Sequence, residues 1–202
     1  MYEMMGRLMV NKEKFALYIS RVLNPVFVLG VVIVLVSFEA SGSGTWIVLC
    51  VLIALFFTVF APWLVVLYLR RWGEISELFI PERRDRLRPL FFYFASSWVG
   101  VGVLYLIHSP PALYALMVCV AVLGTVALLI TMQWKISLHA MGLWAACGVV
   151  IALYGSWWAV VPAGLVSWAR FVLQAHSVSQ ILVGSVVGAG VAFLIFGYML
   201  NT

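Results

Sequence analysis

From Ile136 to Ala169 the chain carries no charged residue. That run limits the possible folds more than any other feature. A helix that crosses a bilayer needs about 20 mostly apolar residues, with a range of roughly 17 to 25. The run is too long for one crossing and just long enough for two short ones, with Tyr154-Gly155-Ser156 as the natural break. It predicts helices over residues 137–154 and 157–173. Five further apolar segments, at 19–38, 46–69, 90–107, 112–132 and 178–200, raise the expected count to seven. Six would follow if the first were re-entrant. Of the 202 residues, 65% are hydrophobic and only 9% are charged, against roughly 25% charged in a soluble domain. Soluble globular, disordered, collagen-like and nucleic-acid-binding classes are thereby excluded. The expected fold class is all-α: one polytopic bundle of six to seven transmembrane helices over 19–202, after a leader at 1–18.

That leader has no short apolar core followed by a small-residue cleavage site, so it is not read as a signal peptide. Seven crossings would put all twelve basic residues on one side and leave Glu39 as the only charged residue on the other. The positive-inside rule then makes the basic side cytoplasmic, in an inner (plasma) membrane. Cys50, Cys119 and Cys147 are widely spaced inside apolar runs and read as small buried hydrophobes. Gly184, Gly188 and Gly190 read as small-residue packing against a neighbouring helix. His108, beside Pro110-Pro111, reads as a solvated turn residue.

Ionisable groups at membrane depth are costly and therefore point to function. Three polar clusters fall on the basic side: Pro81-Glu-Arg-Arg-Asp-Arg-Leu-Arg-Pro89, Lys135-Ile-Ser-Leu-His-Ala140, and the stretch from Arg170 through His176 to Gln180. Guanidinium and ammonium groups bind phosphate oxygens. Helix N-termini expected near Ser137 and Val178 offer backbone N–H groups and a positive dipole end to an anion. Two histidines, His139 and His176, can divide nucleophilic and acid–base work. This is an inventory for phosphoryl transfer without a metal or other cofactor. The acids of the polar loop (Glu74, Glu77, Glu82, Asp85) are scattered rather than clustered.

These residues resemble the type 2 phosphatidic acid phosphatase superfamily, in a divergent bacterial branch. Its signature is a basic stretch ending in Arg-Pro, then Pro-Ser-Gly-His, then Ser-Arg-five residues-His-three residues-Asp. Arg88-Pro89 matches the end of the first motif. Ser137-Leu138-His139 is similar to the second, with Ile136 and Leu138 in place of its Pro and Gly. Ala169-Arg170, five residues, His176, three residues, Gln180 is similar to the third, with its Ser and Asp replaced.

The resemblance implies that His176 is the nucleophile and forms a phosphohistidine, with His139 as the general acid. It implies that Arg170, Ser137, Arg88 and a second base from Arg83, Arg84 or Arg86 hold the phosphoryl oxygens, with Lys135 beside them. Gln180 stands where the family's Asp accepts the nucleophile's ring N–H; its carbonyl can accept the same bond but adds no charge. The implied function is hydrolysis of a lipid phosphomonoester or pyrophosphate: phosphatidic acid, phosphatidylglycerol phosphate, or a polyprenyl phosphate or diphosphate. The implied partners are that lipid and the membrane, with no nucleic acid. The alternative is a catalytically silent protein that binds or transports lipid phosphates on the same scaffold.

Overall fold

The structure, a computed structural model, describes residues 2–73 and 85–199, and every regular element among them is helical. Its elements are α1 (Tyr2–Val22), α2 (Pro25–Ser37), α3 (Gly44–Leu55), α4 (Ala61–Arg71), α5 (Leu87–Leu106), α6 (Pro111–Gln133), α7 (Leu138–Tyr154), α8 (Val160–Val172) and α9 (Val178–Met199). A π turn, Phe56–Phe60, joins α3 to α4, and a 3₁₀ turn, Trp157–Ala159, precedes α8.

The first apolar segment is broken rather than continuous. Pro25 has no N–H and its ring clashes with a preceding helical carbonyl, so α1 cannot run through it. Asn24 restarts the helix: its Oδ1 accepts the Val26 N–H at 2.9 Å, with proline at the first helical position. The two pieces, Asn11–Val22 and Pro25–Ser37, meet at 42°.

Among the described residues four helices are long and apolar enough to cross a membrane: Gly44–Arg71, Leu87–Leu106, Pro111–Gln133 and Val178–Met199. The bent pair brings the number to five if it counts as one span. The expected six to seven is therefore not reached among the described residues, because α7 has 17 residues and α8 only 13. Among the described residues the protein is all-helical, and its apolar helices fit a membrane.

The helices fall into two compact units. The first contains the chain up to Leu29 together with Ile136–Gly190. Its core joins Ala16 and Ile19 of α1, Leu143 and Cys147 of α7, and Ala163, Val166 and Ala169 of α8. The alanines keep these backbones close, as small residues do between membrane helices. Trp144 Nε1–H donates to Ser167 Oγ at 3.1 Å, and that hydroxyl donates to the Ala163 carbonyl at 2.9 Å. Ala16 is fully buried, so α1 packs across the position where the leader was expected to end.

The second unit comprises Gly30–Lys135 and the chain from Val191 onward. In its π turn the Ala61 N–H bonds to the Phe56 carbonyl. The next donor in that register would be residue 62, a proline with no N–H to give to Phe57. Ser96 of α5 takes its place, its hydroxyl donating to the Phe57 carbonyl at 2.6 Å. Gly100, one turn further along α5, leaves no room for a side chain: a Cβ there would lie 2.8 Å from Phe57 Cβ.

Cys50, Cys119 and Cys147 are free and buried, as their apolar settings suggest. His108 is the turn residue expected of it, at φ 53° just past the end of α5. The break at Tyr154-Gly155-Ser156 is also where the sequence places it. Gly155 ends α7 at φ 62° and its N–H bonds to the Ile151 carbonyl at 2.9 Å. A Cβ there would meet nothing within 4 Å, so Gly155→Ala isolates the cost of a left-handed L-residue. It should destabilise the protein by about 1 kcal/mol, read as a lower melting temperature in detergent.

Candidate functional site

The spacing Arg170-five residues-His176-three residues-Gln180 has a direct structural cause. At the end of α8 the Ala175 N–H bonds to the Arg170 carbonyl at 3.2 Å, and the Gln174 N–H to the Phe171 carbonyl at 2.9 Å. Gln174 sits at φ 49°. These are the two bonds and the left-handed residue of a Schellman motif. Helix α9 begins almost at once. The Gln180 N–H donates to Ser177 Oγ at 3.3 Å, and Gln180 Oε1 accepts the Ser177 N–H at 3.2 Å. That reciprocal pair is a capping box. His176 lies between the two caps with 6% of its surface exposed. Its Nδ1 is 3.1 Å from Gln180 Oε1.

The second motif stands beside this junction. Ser137, fully buried, caps α7: its Oγ accepts the Ala140 N–H at 3.4 Å. Its own N–H donates to the Gln180 carbonyl at 3.3 Å, which ties the starts of α7 and α9 together. His139 is the second residue of α7 and is half-buried. Further along, a Cβ on Gly184 would lie 2.8 Å from the Ser137 carbonyl oxygen, and one on Gly188 would lie 2.9 Å from the Met141 carbonyl carbon. Both glycines therefore serve the close packing read from the sequence. Gly190 does not, since a Cβ there would meet nothing within 4 Å.

Arg170, half-buried at the end of α8, donates from Nη1 to Ser20 Oγ at 3.1 Å. Ser20 is itself buried on α1, one turn beyond Ala16. The first unit thus brings Ser137, His139, Arg170, His176 and Gln180 onto the ends of three helices. It contains none of the other expected phosphate ligands. Arg86 and Arg88, at the start of α5, and Lys135 belong to the second unit. Arg83 and Arg84 lie outside the described residues. Among the described residues no group of three or more His, Cys, Asp or Glu is placed to hold a metal ion.

Sequence reading missed two residues here. Ser177 was detectable, since Ser-x-x-Gln before an apolar run is a capping-box signature. Ser20 was not, because its partner is 150 positions away.

Two helix N-termini held side by side present backbone N–H groups and positive dipole ends, an arrangement suited to an anion. A guanidinium, a buried imidazole and a second imidazole on the adjoining helix add charge pairing and proton transfer. No family model matches the chain, and neither does a curated protein or a solved structure.

Proposed function

We propose that the chain is a membrane-embedded, metal-independent lipid phosphatase acting through a phosphohistidine on His176. One observation carries this reading: an imidazole buried at 6% exposure is held at Nδ1 on the head of a helix tied to a second helix head. A histidine left over in a loop would be solvated.

In this reading His176 Nε2 attacks phosphorus while Arg170, Ser137 and the helix N-termini hold the phosphoryl oxygens. The P–O bond to the leaving group breaks, its electron pair stays on that oxygen, and His139 protonates it. Water then attacks the phosphohistidine, His139 takes the water's proton, and the P–N bond breaks to release phosphate and restore His176. The substrate is a lipid phosphomonoester or pyrophosphate whose tails stay in the bilayer.

In the same proposal α7 and α8 are short spans. At about 1.5 Å per α-helical residue and about 2.0 Å per 3₁₀ residue, α7 and α8 with its 3₁₀ turn are each about 26 Å long, just under the roughly 30 Å hydrocarbon core. Counting them with the bent pair gives seven crossings, and the basic side is then cytoplasmic.

The test is turnover of purified protein in detergent against a panel of lipid phosphates. Activity should survive EDTA and be blocked by vanadate, a mimic of five-coordinate phosphorus. Loss on chelation, restored by a divalent ion, would overturn the mechanism. The neutral amide of Gln180 supports a second reading, a silent lipid-phosphate binder, because it supplies no charge to an imidazolium. Trapping an acid-labile phosphohistidine separates the two.

A further inference from the structure

A guanidinium has no acceptor, so the 3.1 Å bond between Arg170 and Ser20 has one direction: Nη1–H donates and the hydroxyl oxygen accepts. Ser20 is buried on α1 together with Ala16 and Ile19, and positions 16, 19 and 20 share one face of a helix. Ala16 and Ile19 pack in one core with Ala163, Val166 and Ala169 of α8. Phe15 flanks that contact, its ring 6.0 Å from the ring of Trp168. Alanines on both helices bring the backbones close, and a side chain as short as serine then reaches the arginine. An alanine at position 20 would suit this apolar face better, because a buried hydroxyl is costly unless it is bonded. Here its bonding partner is the one cation that the proposed chemistry takes from α8.

The ends of the two helices add a second, independent contribution. Ser20 stands in the last turn of α1 and Arg170 in the last turn of α8, where the aligned peptide dipoles leave a negative end that favours a cation. The break after α1 strengthens that end. Pro25 has no N–H to offer the Arg21 carbonyl, and the Val26 N–H, which would serve Val22 in a continuous helix, goes to Asn24 Oδ1 at 2.9 Å. The guanidinium is thus held at two negative helix ends, whereas the proposed place of the phosphate is at two positive ones, the heads of α7 and α9. A bond through one of five N–H donors orients the planar fork without consuming it.

We infer that Ser20, on a helix outside the three polar clusters, is a positioning residue that sets the Arg170 guanidinium for the phosphoryl group. The hold on Arg170 follows from the hydrogen bond and the helix ends, whereas its use toward phosphate rests on the phosphatase reading.

The test combines ¹⁵N NMR of the full-length protein, labelled at arginine in nanodiscs, with kinetics on lipid phosphates well below the melting temperature. Arg170→Lys assigns the Arg170 signals. In the wild type the two Nη nitrogens of Arg170 should be resolved, as in a guanidinium that does not rotate freely, and in Ser20→Ala they should average. Ser20→Ala should also lower kcat/KM and raise the Ki of inorganic vanadate by about tenfold each, the low end of what a hydrogen bond to a charged group is worth. Ser20→Thr, which keeps the hydroxyl, should restore most of both. Ile19→Val is the packing control: it trims the same buried face of α1 and should lower the melting temperature without moving either constant.

Unchanged Arg170 signals in Ser20→Ala would overturn the inference. So would a Ser20→Ala protein that melts lower yet keeps the wild-type kcat/KM and Ki, since that is packing alone. Equal kinetic losses in Ile19→Val would overturn it as well. Arg170 signals that average only in Ser20→Ala, in a protein that turns over no lipid phosphate, would uphold the hold on Arg170 and remove the phosphatase reading instead.

Discussion

His176→Ala is expected to abolish turnover, by on the order of 10⁴- to 10⁶-fold, as when a covalent nucleophile is removed, and to leave lipid-phosphate binding nearly intact. The phosphate would still meet Arg170, Ser137 and the helix N-termini, which do not depend on the imidazole. The fold should survive too. Both caps around His176 are made by its neighbours: Ala175 and Gln174 on one side, Ser177 and Gln180 on the other. His139→Ala should behave differently. Removing a general acid costs roughly 10²- to 10⁴-fold, and less on a substrate whose leaving group needs little protonation. Comparing both variants on a natural lipid phosphate and on an activated aryl phosphate would distinguish the roles. Full activity in His176→Ala would sink the assignment.

Among the glycines of the described residues, Gly188→Ala should cause the largest loss of stability, about 3 kcal/mol, the upper end of overpacking costs. The new Cβ would meet the Met141 carbonyl and lie 3.0 Å from the Ala145 nitrogen, all backbone of α7. Backbone in a helix cannot rotate aside as a side chain would. Relief has to come from α9 moving off α7, and that would also strain the Ser137 to Gln180 bond at their heads. Lost stability should therefore come with lost activity. Gly190→Ala is the matched control. It lies on the same helix and has nothing within 4 Å of the added Cβ, so it should be neutral or slightly stabilising, since alanine is the better helix former. Thermal unfolding in detergent gives both values, and equal melting temperatures for the two variants would contradict this account.

Most helix positions were legible from the uncharged runs, since four of the expected spans reappear within a few residues of their ends. The break at Gly155 was legible because only a glycine enters the left-handed region without cost. The first segment was misread because hydropathy sees only apolar content. Asn24-Pro25 breaks the helix without lowering that content much. The count of crossings was less legible for a related reason: α7 and α8 share one apolar run, and at 17 and 13 residues neither is long enough to declare a span by length alone. At the candidate site, the motif residues Ser137, His139, Arg170, His176 and Gln180 could be named from spacing. The bond from Arg170 to Ser20 could not, because nothing local to either residue encodes a partner on another helix.

The joint between α8 and α9 has a mechanical consequence. Of the four peptide N–H groups from Gln174 to Ser177, those of Gln174, Ala175 and Ser177 are all bonded within the joint. Such a joint has almost no slack, so it cannot lift away from the site as a flap and return. If a lipid phosphate reaches His176, as the proposed function requires, whole helices must tilt or part to admit it. The rate of entry would then depend on the surrounding bilayer, its lateral pressure and its thickness, more than on the flexibility of any loop.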